Sequence, residues 1–291
     1  MGFLWRHKIH VILFILTFAS TFVTGGLKKG DTGKFILSFV EGISYSMPVI
    51  LILLGHEMGH YLMSRRYGIR ATLPFFLPFP FSPFGTLGAV IRMESSIPSR
   101  KALFDVGVAG PLTSFILSIP AILIGLRLSN IIPASQIEPQ ANRLGAPLLF
   151  SLVQGLVIGK VPEGYDVILH PIGFAGWAGL FVTALNLLPV GQLDGGHVAY
   201  ALFGKRSRLI FLIAIALMAL ITIFYYPGWI LLLILFILFG LRHPAPLDDG
   251  TPLDRKRRIL GGMTLLIFLL SFTPAPLPEV ADEFRQLFHW F

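Results

Sequence analysis

The sequence predicts an all-α polytopic membrane protein with about seven transmembrane helices and a small membrane-associated β-hairpin-like element. Two observations carry that prediction. Hydrophobic residues make up 54% of 291 positions and charged residues only 13%, about half the share usual in globular proteins. The apolar residues also gather into runs of membrane-crossing length, with basic clusters between them.

In chain order, the runs are 9–24, 43–63, 105–126, 172–190, 207–224, 228–241 and 258–273. The first lacks a small-residue cleavage site and reads as an uncleaved helix. Arg6 stands where a myristoylation signal needs Ser or Thr, so no lipid anchor is expected there. Pro227-Gly228 divides 207–241 into a tight helical hairpin. An eighth apolar run, 144–159, is interrupted by Gly155 and reads as re-entrant or interfacial.

Two further segments behave differently. Residues 71–84 carry Pro74, Pro78, Pro80 and Pro83 among phenylalanines, too proline-rich for a helix and too apolar for open solvent. The following Gly85–Met93 reads as a strand, so the pair forms a hairpin beside the second span. In the tail 280–291, Val280, Phe284, Leu287, Phe288 and Phe291 share one helical face, as in an interfacial amphipathic helix.

Most of the 23 Lys and Arg residues fall on one side of a seven-span arrangement. The positive-inside rule then places the N-terminus in the cytoplasm and the C-terminus outside, in a bacterial cytoplasmic (inner) membrane. The net charge of +8 is topological on this view, and nucleic acid is not an expected partner. With no cysteine in the chain, thiolate metal sites and disulfides are excluded.

The chemistry-bearing residues are few. His56-Glu57-Met58-Gly59-His60 falls at the end of the second span. Positions i and i+4 share a helix face, so both imidazoles can reach one metal, with Glu57 beside the open position as general base. Ionisable groups inside a membrane are costly, about 2.5–3.5 kcal/mol on the insertion scale, and normally mark function. A third ligand must lie at the same depth. Asp194 qualifies, although Asp before Gly-Gly also suits a helix cap or turn. Glu41 and Asp105 are the other carboxylates in apolar surroundings, with Asp105 expected as a helix N-terminal residue. Gly107, Gly110, Ser114 and Ser118 form a small face suited to close packing against the metal helix.

His56-Glu57-Met58-Gly59-His60, taken with Asn186-Leu-Leu-Pro-Val-Gly and Leu193-Asp194-Gly195, resembles the site-2 protease family of intramembrane metalloproteases. The wording from His170-Pro171 to Gly196 is similar to the chloroplast and cyanobacterial branch and its bacterial relatives, and the resemblance covers about 40–205. It implies a three-helix catalytic core with accessory helices over 206–291, all one membrane-embedded peptidase domain. It also implies one Zn²⁺ per chain held by His56, His60 and Asp194, with Glu57 as catalytic base. Asn186 matches a residue that steadies substrate or the developing oxyanion. The soluble extension, PDZ and CBS modules of other members are missing from this sequence. His197 stands where many relatives have Arg and reads as an interfacial residue, while His170 begins the fourth span far in depth from Glu57.

The expected activity is hydrolysis of peptide bonds in transmembrane or membrane-associated proteins, within the lipid bilayer. A helical substrate must unwind, and Gly88–Met93 is placed to pair with the extended segment. Two other classes compete. A metal or ion transporter predicts ionisable residues staggered along several spans; a non-catalytic scaffold has no need of Glu57.

Overall fold

The structure is a computed structural model and describes residues 2–29, 35–136, 143–240 and 244–279. The predicted tail helix at 280–291 lies outside the described residues. The described chain is mostly helical: α1 (Gly2–Gly26), α2 (Phe39–Arg66), α3 (Arg100–Arg127), α4 (Leu148–Val157), α5 (Pro171–Asn186), α6 (Asp194–Phe203), α7 (Ser207–Phe224), α8 (Ile230–Phe239) and α9 (Arg255–Ser271). Three two-stranded antiparallel sheets lie between them: β1 (Leu27–Lys29) with β2 (Phe35–Leu37), β3 (Phe75–Pro78) with β4 (Thr86–Val90), and β5 (Asn130–Pro133) with β6 (Tyr165–Ile168).

Helix lies within each of the seven predicted runs, and among the described residues four stretches are long and apolar enough to cross a membrane: Lys8–Gly26, Phe39–Arg66, Arg100–Arg127 and Asp194–Phe224. Shorter apolar helices lie at Leu148–Val157, Pro171–Asn186 and Pro227–Leu238. At about 1.5 Å per residue, the 16 residues of α5 reach about 24 Å, short of a hydrocarbon core of about 30 Å. Pro171 opens this helix and the backbone leaves it at Asn186, three residues before Pro189. The segment 194–203 lies between the fourth and fifth predicted runs. It is helix α6, joined to α7 by a 3-10 turn at Gly204–Arg206.

The predicted hairpin is present, with Phe75 opposite Val90 and Phe76 opposite Ala89. An isolated bridge between Ala71 and Met93 extends it. Its turn is fixed against the helices: Tyr45 donates to the Phe84 carbonyl at 2.9 Å, and Ser20 donates to that of Gly85 at 2.5 Å. Over the predicted re-entrant run lies α4, whose 10 residues are too short to span.

α3 lies along both α2 and α5, and α6 packs on α3. The contacts are close because the facing residues are small. A Cβ on Gly125 of α3 would collide with the backbone of Gly173 in α5, and one on Gly179 of α5 would meet the Ser118 hydroxyl. The small face predicted on α3 thus packs against three helices, with Ser114 and Ser118 fully buried.

Candidate metal centre

α2 is capped by Ser38, which accepts from the Glu41 amide, and runs unbroken past Pro48 to Arg66. That continuity puts His56 and His60 one turn apart on one face. Both are buried, and their Nε2 atoms lie 3.1 Å apart. Asp194, in the first turn of α6, brings Oδ2 to 3.3 Å from His56 Nε2 and 3.2 Å from His60 Nε2. These are the ligand atoms of the three-residue cluster, all within 4.8 Å of one another.

The opposite edges of the rings decide which protons are present. His60 Nδ1 lies 2.8 Å from the Val106 carbonyl. A carbonyl only accepts, so Nδ1 carries the proton and Nε2 a lone pair. His56 Nδ1 lies 3.1 Å from Ser114 Oγ, itself 2.8 Å from Thr183 Oγ1. Thr183 donates to the Gly179 carbonyl at 2.7 Å. Ser114 therefore donates to Thr183, and its oxygen accepts the His56 Nδ1 proton. Two imidazole lone pairs and a carboxylate oxygen then face one point. An N–H of Asn186 Nδ2 is also directed there, at 3.3 Å from His56 Nε2.

That donor set fits a divalent cation, and His₂Asp is a set that Zn²⁺ accepts in tetrahedral sites with one open position. Ring-holding contacts of this kind also orient metal-ligating histidines. Space is matched too, since a Cβ at Gly110 would overlap the His60 imidazole. Glu57 is buried beside the pair, with its carboxylate accepting from the Ile91 amide just past β4.

Residues 44–226 match the family model "Peptidase family M50". The chain belongs to peptidase family M50. Among proteins similar to this M50 chain is "Probable zinc metalloprotease EGY1, chloroplastic" from Oryza sativa subsp. japonica, 35% identical over 70% of this chain and 39% of the relative. Its Arabidopsis thaliana namesake is 28% identical over 96% and 55%, and Arabidopsis EGY2 is 31% identical over 84% and 44%. The chain spans about half the length of the curated relatives it matches. A site-2 protease structure from Methanocaldococcus jannaschii aligns over 84% of this chain and 93% of that one, at 18% identity and a TM-score of 0.37.

All five predicted site residues of the M50 chain meet in this one place or, for Glu57, directly beside it. The histidines of doubtful role lie elsewhere or have another part. His170 caps α5, its Nδ1 accepting from the Ile172 amide at 3.3 Å. His197 packs its Cβ near Gly107. Asp105 is corrected: Ser99 caps α3, and Asp105 instead binds Arg257 and Tyr67. Sequence reasoning missed Thr183, Val106 and Ile91. Two of these act through backbone atoms, which leave no trace in residue type. Thr183 sits four residues after Gly179 inside the apolar run 172–190, where its residue type alone does not name a partner.

Proposed function

We propose that this chain is a zinc metalloendopeptidase of the membrane, cleaving peptide bonds of transmembrane or membrane-associated proteins. The observation that carries the proposal is the convergence of His56, His60 and Asp194 on one point beside a buried glutamate. A structural site has no use for that glutamate. A transporter would need ionisable groups at staggered depths.

His56 and His60 Nε2 and Asp194 Oδ2 would hold the ion, which would supply polarisation of the scissile carbonyl and acidification of water. Glu57 takes a proton from the attacking water and delivers it to the leaving amine nitrogen. Asn186 Nδ2, already turned inward, donates to the oxyanion that develops on the carbonyl. β4 has β3 as its strand partner, and the Ile91 amide at its end reaches Glu57. An extended substrate added along the free edge of β4 therefore has its backbone groups satisfied and lies beside the base. A proline scan of residues 88–92 tests this, with unchanged cleavage counting against it.

The whole chain forms one peptidase domain with its core over about 40–205, in a bacterial cytoplasmic membrane with the N-terminus inside. The deciding experiment reconstitutes the purified chain with a transmembrane test substrate. Glu57→Gln abolishes cleavage while leaving about one zinc per chain; cleavage retained by that variant would remove the assignment.

A further inference from the structure

We propose that Arg257 and Asp105 are positioning residues for His60, so that the first turn of α9 completes the metal centre from outside the segment matching M50. The inference rests on the metal-centre reading above and adds a residue set to it. Arg257 grips Asp105 through both arms of its guanidinium: Nε donates to Oδ1 at 2.8 Å and Nη2 to Oδ2 at 2.5 Å. Tyr67 donates to the same Oδ2 at 2.5 Å, and Arg257 Nη2 lies 3.3 Å from the Tyr67 oxygen. Asp254, the cap of α9, fixes the arginine in turn by accepting from its backbone amide at 3.0 Å and from Nη1.

The two residues held by Arg257 lie directly behind the metal ligand. Asp105 immediately precedes Val106, whose carbonyl accepts from His60 Nδ1 at 2.8 Å. Tyr67 caps the C-terminus of α2 seven residues after His60, two helical turns on, and so continues the face that carries His60. A fork bonded to Asp105 on α3 and to Tyr67 at the end of α2 fixes the two helices in register. That register aims the Val106 carbonyl at the ring and keeps Gly110 against its far edge. A planar bidentate pair resists both sliding and rotation, which a single ammonium cannot. Residue 257 lies 31 positions beyond the family match ending at 226, so the arginine of the clamp comes from this chain's C-terminal segment while Asp105 and Tyr67 lie within the match.

The test measures zinc release from the purified holoprotein to a chromophoric chelator, together with kcat and KM. Arg257→Ala and Asp105→Asn should each release zinc about 10-fold faster, lowering kcat with little change in KM. The double variant should be no worse than either single one, and Arg257→Lys should fall between. Arg100→Ala is the control: it removes a neighbouring ion pair to Asp249 at 2.7 Å that does not touch His60 support, and should release zinc at the wild-type rate. Tyr67→Phe, which keeps the ring and removes one bond to Asp105, carries the test if Arg257→Ala folds poorly; it should speed release about 3-fold. Wild-type release from Arg257→Ala or Tyr67→Phe, or equal acceleration by Arg100→Ala, would overturn the proposal. A wild-type chain holding no more zinc than His56→Ala would overturn the metal centre itself.

Discussion

The α2–α3–α5 core and the α7–α8 hairpin are both apolar and both helical, yet they are built on opposite rules. In the core, glycine, serine and threonine face inward: Ser46, Ser64, Ser114, Ser118 and Thr183 are fully buried, and backbones approach wherever a Cβ is missing. In the hairpin, leucine and isoleucine point outward on most sides; Leu217, Leu220, Ile223, Leu231 and Leu238 are all exposed. Lipid is as apolar as leucine, so large side chains gain nothing by turning inward there. What pulls membrane helices together is close packing and polar bonding, and both need small residues. The difference separates a region that must hold atoms to a fraction of an ångström from one that need only fill the bilayer.

The contrast is sharpest at glycine. Gly110→Ala places a methyl in the His60 ring, whereas Gly155→Ala on α4 meets nothing within 4 Å. The first should cost about 100-fold in cleavage rate with loss of zinc; the second should behave as wild type in both assays. Equal behaviour would break the comparison. Next in size is Ser114→Ala, which leaves His56 Nδ1 without its hydroxyl partner and should weaken zinc affinity about 10-fold, as removal of a ring-holding partner does. Chelator competition reads it directly.

Stability should follow the same divide. Gly179→Ala forces a methyl against the Ser118 hydroxyl and Ile52 and should destabilise by about 1–3 kcal/mol, the usual range for overpacking. Leu217→Ala and Leu231→Ala should fall within about 0.5 kcal/mol; thermal unfolding in a fixed detergent compares them. Smallest is the pH response of the loop before α9. The Arg100 guanidinium beside Asp249 holds that carboxyl below its ordinary value. A carboxylate so depressed stabilises above about pH 4 and loses that contribution as pH falls through its lowered value. Arg100→Ala should flatten the acid limb of the unfolding curve slightly, and an unchanged limb would show the pair contributes nothing.

Much of this was legible beforehand, for identifiable reasons. His56 and His60 share a face by helix period alone, and a histidine pair flanking a glutamate in apolar chain has few bland explanations. The hairpin was readable because four prolines forbid helix and the run after them alternates around glycines. Span number was less legible. Hydropathy measures how apolar a run is, not where the backbone breaks, and Asn186 ends a helix inside the run 172–190, which looks continuous. Asp105 misled because a carboxylate near a helix start resembles a cap, while its partner lay 152 residues away.

Resemblance to a family named Asp194 as the acid; by itself, the residue order determined that the chain carries apolar runs of membrane-crossing length and that one helix puts two imidazoles on one face. Those are local properties: transfer energy and helical period act over a few turns. Only the tertiary structure decided that a serine, a threonine and a backbone carbonyl hold the imidazole rings, and that an arginine near the C-terminal end braces the same two helices. Hydrogen bonds reach about 3 Å and pay no regard to sequence distance, so those partners exist only once the helices are packed.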